Sequence, residues 1–161
     1  MKLSHILPSL TVFAHCDVPC GIYDPYAAQI AAFTVIRMTQ LIQDAHTESD
    51  DAAEQKQLMH AISRYTAVKE EHAEKVKHEI RVIWGDYFKE EQLKEYPEVT
   101  DLVFRIMKHA SKARQTIDMD AAKQLLGSVQ EFAEIFWKSK NRETTRIASP
   151  FPVGEELVVL K

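Results

Sequence analysis

The sequence predicts an all-α fold, an antiparallel up-down four-helix bundle preceded by an N-terminal hook that carries soft metal ligands. Three observations predict it. Four stretches repeat apolar residues at i, i+3 and i+4, the period of one helix face. Two of them open on start signals, Asp24-Pro25 and Asp51 with Glu54. Only four glycines occur in 161 residues, too few for the many tight turns of a β-rich chain.

The first helix starts after Asp24, with Pro25 at the first helical position, where a missing N–H costs nothing. Its apolar face reads through Ala27, Ile30, Ala31, Thr34, Met38, Leu41 and Ile42. The acidic cluster Glu48-Ser49-Asp50-Asp51 breaks that pattern, and Asp51 with Glu54 has the spacing of a capping box for the second helix. This helix is the longest, with a face through Leu58, Ile62, Tyr65, His72, Val76, Ile80, Ile83 and Tyr87. The third follows Pro97 and carries Val99, Leu102, Val103, Ile106, Met107 and Ala110. The fourth starts near Asp118, with Ala122, Leu125, Leu126, Val129, Ala133 and Phe136 on its face. Short links between amphipathic helices make antiparallel neighbours. The predicted organisation is a leader over 1–14, the hook over 15–23, the bundle over 24–142 and a C-terminal tail over 143–161. In that tail, residues 149–154 read as extended chain, and Leu157 to Leu160 as a segment that packs on a neighbour or stays disordered.

The composition sets bounds. Hydrophobic residues make up 45% and charged residues 27%, the balance of a single globular domain that buries its own core. A formal net charge of −4 gives no basis for nucleic-acid binding. No apolar run approaches a membrane span. The charge-dense run from Lys69 to Lys75 reads as a solvated helix face. Of the Glu-x-x-His pairs that di-iron bundles need, Glu48 is answered by Asp51 and Glu74 by Lys77, so that chemistry is excluded.

The chemistry concentrates in one stretch, His15-Cys16-Asp17-Val18-Pro19-Cys20-Gly21-Ile22-Tyr23-Asp24-Pro25, which holds both cysteines of the chain. Two thiols and an imidazole suit a late first-row metal better than magnesium or calcium. A metal on the Cys16 sulfur can also take the Cys16 backbone nitrogen in a small chelate ring. If the chain began at His15, its free amine would close a second ring, Cys20 would complete a planar N2S2 set, and the His15 imidazole would remain for an axial position. Planar N,S coordination points to nickel(II) or copper(II), whereas zinc prefers a tetrahedron. Pro19 bends the loop, and Gly21 permits a turn that a side chain would obstruct. Asp17 is expected to organise the loop, because thiolates outcompete a hard carboxylate for nickel. Other readings of the same residues are a strained local disulfide, or two reduced thiols in a turn.

The planar set has a condition. In the full chain the His15 nitrogen is an amide, whereas an α-amine, with a pKa of about 8, releases its proton to a metal near neutrality. The hook is therefore half built until residues 1–14 are removed. Met1-Lys2 gives a positive start and Ile6 to Ala14 is mostly apolar, but the run is short and His5 and Pro8 interrupt it. By the criteria of secretory signals this is a cytoplasmic propeptide rather than an export sequence.

The stretch from His15 to Pro25 resembles the metal-binding hook of the nickel superoxide dismutase family. Trp84-Gly85-Asp86-Tyr87-Phe88-Lys89 with Tyr96-Pro97-Glu98 is similar to a second signature of that family, and Ile135-Phe136-Trp137 to its final helix. The resemblance implies disproportionation of superoxide to dioxygen and hydrogen peroxide by Ni(II)/Ni(III) cycling, with one nickel ion per subunit held by His15, Cys16 and Cys20. It also implies that Tyr23 and Tyr87 border the open side of the nickel, that a protease removes the leader ahead of His15, and that the subunits form a homohexamer. Two thiolates and a deprotonated amide push electron density onto nickel and bring Ni(III) within reach. Where the family has a glutamate and an arginine that orient the ligand imidazole, this chain has Ala31 and His72. The imidazole is then expected to be held by backbone groups or by a neighbouring subunit. Lys89 is a candidate for local steering of the anionic substrate. The alternative function is a non-enzymatic bundle whose hook stores or transfers nickel or copper.

Overall fold

The computed structural model describes residues 21–161. The elements run α1 (Tyr26–Asp44), α2 (Ala52–Val82), a π-helical turn (Ile83–Tyr87), a short α3 (Glu90–Glu95), α4 (Val99–Gln115), α5 (Met119–Ser139), and then β1 (Thr144–Ala148) and β2 (Glu156–Leu160). α1 packs on α2 and α5, and α4 on the same two helices, which closes a four-sided antiparallel bundle. The expected bundle is present, with α3 and the π-helical turn set into the connection between its second and third long helices.

The start signals work with small shifts. Asp24 accepts the Tyr26 N–H at 2.8 Å, and Pro25 takes the cap position rather than the first helical one. Asp51 caps α2 by accepting from the Ala53 N–H, while its own N–H is satisfied by Ser49 Oγ at 3.1 Å. Asp118 caps α5 through the Ala121 N–H, and that bond holds its carboxyl below the usual range.

The faces of α4 and α5 are buried as the periodicity requires, apart from a half-buried Met107. That of α1 is rotated and wider. Ala28, Ala31, Ala32, Phe33, Val35, Ile36, Thr39 and Ile42 are buried, whereas Ile30, Thr34, Met38 and Leu41 are only half-buried. A helix covered by α2, α5 and further chain buries more than one stripe.

α2 differs from its reading in two ways. Lys69, expected on a solvated face, is 2% exposed. Its ammonium donates to the carbonyls of Ala113 (2.7 Å), Arg114 (3.0 Å) and Thr116 at the end of α4. Those carbonyls lack partners of their own and carry the negative end of the helix dipole, which is why a buried lysine is tolerated there. Burial pushes its pKa down, against the neighbouring Glu70. Residues 52–68 extend past that end of the bundle, so Leu58, Ile62 and Tyr65 are half-buried rather than core.

The tail is not a loose extension. β1 and β2 form an antiparallel hairpin in which Thr144 pairs with Leu160 and Ala148 with Glu156. Its turn uses Gly154 and Glu155 at φ 69° and 61°, and Phe151 meets Phe33 edge-on at 5.0 Å. Leu157 and Val158 are buried. The Gln29 amide exchanges two hydrogen bonds with the Val158 backbone. The Gln130 amide donates to the Glu156 carbonyl, and Arg146 grips Glu134 at 2.7 and 3.1 Å. The segment expected to seek a neighbour or stay disordered thus packs on its own α1 and α5.

Candidate functional site

The site is built where α1 begins and where α2 and α5 end. His15, Cys16 and Cys20 lie outside the described residues. Gly21, the first described position, has φ +82°. That is the left-handed backbone glycine adopts without strain, in keeping with the turn expected there. Four residues outside any helix or strand lead to Pro25, which is buried, so the root of the hook is fixed to the bundle.

Tyr23 and Tyr87 come together. Their ring centroids are 6.3 Å apart at an interplanar angle of 54°, a tilted contact favoured by ring quadrupoles. The π-helical turn brings Tyr87 there. One extra residue in the turn re-aims the side chains that follow it, a distortion frequent at functional sites. Tyr87 packs edge-on against Phe88 at 5.1 Å and Phe136 at 4.9 Å. Phe88 and Tyr96 are buried and Trp84 packs against the same core. On this turn the Trp84 indole nitrogen and one Asp86 carboxylate oxygen are buried with no hydrogen-bond partner among the described residues, an unusual condition for native polar atoms.

Two further residues were missed by the sequence reading. Tyr87 Oη lies 2.8 Å from Ser139 Oγ, and Lys140 Nζ sits 5.0 Å from the ring centroids of both Tyr87 and Phe136. They are placed by the end of α5. The Arg142 N–H bonds the Trp137 carbonyl and the Asn141 N–H the Lys138 carbonyl, both at 2.9 Å. With Asn141 at φ 57°, this is a Schellman termination that leaves Lys140 at the cap. Nothing in the spacing of Lys138-Ser139-Lys140 signals such a role. Lys89, the expected steering residue, is exposed at the start of α3.

Ala31 is buried in α1. His72 is half-buried, with Nδ1 2.9 Å from the Val68 carbonyl of its own helix. It precedes Tyr87 by about four turns, roughly 22 Å along the axis, so it does not reach the tyrosine pair within one chain. No group of three His, Cys, Asp or Glu side chains suited to a metal exists among the described residues. The bundle therefore offers no rival to the hook, whose donor set of two thiols and an imidazole fits nickel.

The profile of the nickel-containing superoxide dismutase family matches residues 10–140. "Superoxide dismutase [Ni]" of Streptomyces coelicolor is 37% identical over 133 residues, which cover 83% of this chain and 93% of that protein. The protein of the same name from Streptomyces seoulensis matches with the same identity and coverage. Among solved structures, native nickel superoxide dismutase superposes with a TM-score of 0.65 at 35% identity, over 78% of this chain and 99% of the other. A form with nickel ligation corresponding to the oxidised state gives 0.66. The C-terminal hairpin lies beyond the residues that the family profile matches. Similarity over most of the chain, in sequence and in fold, decides against a metal-storing bundle: the chain belongs to the nickel-containing superoxide dismutase family.

Proposed function

We propose that the chain is a nickel superoxide dismutase in which His15, Cys16 and Cys20 hold one nickel ion per subunit, while Tyr23 and Tyr87 border its open side. The observation that carries this reading is the pairing of the two tyrosines, 6.3 Å apart, at the root of the hook. They come from signatures 64 positions apart (87 − 23) in the sequence. When bound, nickel would supply the one-electron chemistry by which two superoxide ions and two protons become dioxygen and hydrogen peroxide.

The protein's own part is to bind, to narrow access and to order water. Cys16 and Cys20 supply electron-rich sulfur, and His15 supplies the terminal amine and the imidazole. The two phenol rings leave little room for larger molecules beside the oxidisable thiolates. Among the described residues nothing partners the Trp84 N–H or the Asp86 oxygen, one donor and one acceptor on the turn that carries Tyr87. That spare polar capacity fits a segment that docks there.

Residues 1–14 are a leader removed by a protease in the cytoplasm, which frees the His15 amine. The short, interrupted apolar run of the leader supports this, and no helix among the described residues is long and apolar enough to cross a membrane. The subunits assemble as a homohexamer. In support, Leu58, Ile62 and Tyr65 are only half-covered within one chain, and Met59 is 59% exposed.

The test is intact mass, N-terminal sequence, sedimentation and nickel content of active protein. His15 should be the first residue, with one nickel per subunit in a six-subunit particle. Active protein that begins at Met1 or Lys2 would overturn the coordination proposed here.

A further inference from the structure

The hydroxyl of Tyr87 has its proton assigned by its neighbours. Ser139 Oγ lies 2.7 Å from the Phe136 carbonyl, and a carbonyl only accepts, so the serine proton is spent there. That carbonyl would ordinarily receive the Lys140 N–H, but this N–H turns instead to the Trp137 carbonyl at 3.0 Å as α5 ends. Ser139 therefore satisfies a carbonyl the helix end has orphaned. In the 2.8 Å contact between Tyr87 and Ser139, the only proton left is that of the phenol. Tyr87 donates to Ser139, Ser139 donates to Phe136, and the direction of the chain is fixed by its carbonyl end.

Lys140 holds the same ring from its face. Its ammonium stands 5.0 Å from the centroids of Tyr87 and Phe136, within the range of an attractive cation–π contact. It also places a positive charge beside the tyrosine pair in a chain of net charge −4.

We propose that Ser139 is a positioning residue for the reaction: by taking the phenol proton of Tyr87 it leaves the phenol oxygen with only lone pairs to offer the open side, while Lys140 clamps the ring. The consequence is selectivity between small oxygen species. A lone-pair-only oxygen accepts from water or hydrogen peroxide, which carry protons, and repels anions that can only accept. Anions are drawn toward the mouth by Lys140 but find no hydrogen bond from Tyr87 with which to settle. The inference rests on the proposed place of Tyr87 beside the nickel.

Two measurements test it on the purified protein. The first is the tyrosine ring doublet in the Raman spectrum, which reports whether a phenol donates or accepts; the Tyr87 share of the five tyrosines is isolated by difference against Tyr87→Phe. Ser139→Ala should move that share away from the donor pattern, and Ser139→Thr, which keeps a hydroxyl, should restore it. The second is inhibition of the nickel-loaded enzyme by azide, a small monoanion. Ser139→Ala should tighten azide inhibition about threefold, the scale of one neutral hydrogen bond, and should add nothing in a Tyr87→Phe background. An unchanged Raman doublet in Ser139→Ala, or an azide effect that persists undiminished without the Tyr87 hydroxyl, overturns the inference alone. An azide constant unchanged by Tyr87→Phe itself overturns the placing of Tyr87 at the open side, and this inference with it.

Discussion

The side-chain amide of Gln29 and the backbone of Val158 exchange two hydrogen bonds, one of 3.1 Å to the carbonyl and one of 2.9 Å from the N–H. Gln29 is 1% exposed, so a helix side chain imitates a neighbouring strand inside the core. It pins β2 to the first turns of α1, just after the root of the hook.

Gln29→Leu should therefore destabilise the protein by about 2–3 kcal/mol, because it leaves the Val158 N–H and carbonyl unpartnered against an apolar surface. Urea denaturation gives the change in stability, and amide exchange at Val158 should quicken. Exchange as slow as in the wild type would mean that burial of Leu157 and Val158, not the amide pair, holds the hairpin.

Tyr23→Phe and Tyr87→Phe should leave the bundle folded and nickel bound, since each removes only a hydroxyl from the proposed rim of the site. The effect is expected in saturation with superoxide and in anion inhibition, with the double substitution worse than either alone. Loss of nickel from either single variant would place that hydroxyl in the metal's own shell instead.

Cys16→Ser and Cys20→Ser should each abolish dismutase activity, because an alcohol lacks the electron-rich sulfur that makes Ni(III) accessible. His15→Gln should keep nickel(II) bound through the amine, amide and thiolates but lose most turnover. Metal analysis with the Ni(III) spin-resonance signal separates the cases. Near-normal activity in nickel-loaded Cys20→Ser would rule out the redox role given to the thiolates.

Lys69→Met keeps the apolar stem and deletes the ammonium that serves three carbonyls at the end of α4. A loss of about 2–4 kcal/mol is expected, the cost of leaving buried acceptors unsatisfied. Nickel content should be unchanged, as Lys69 lies some five turns of helix from Tyr87. Wild-type stability in this variant would show that water replaces the lysine at no cost.

Helix period and capping chemistry are local properties, so α1, α2, α4 and α5 were legible in the sequence, as was the break at Glu48 to Asp51. The proposed ligand set draws on the same kind of local signal: His15, Cys16 and Cys20 lie within six residues (15 through 20), and ligand preference depends on residue type and spacing. Tyr23 and Tyr87 were named through family signatures, but their approach to 6.3 Å needed the bundle to bring the root of the hook against the end of α2. Lys69 looked like any lysine in a charged run, because nothing near it in sequence announces three orphaned carbonyls 44 to 47 positions away. The tail misled because a five-residue strand has no partner until it is folded, and its partners here include Gln29, 129 residues earlier. The proton of Tyr87 was beyond sequence altogether. It is decided by the way α5 ends, which frees one carbonyl at Phe136, sets Ser139 between that carbonyl and the phenol, and leaves Lys140 over the ring.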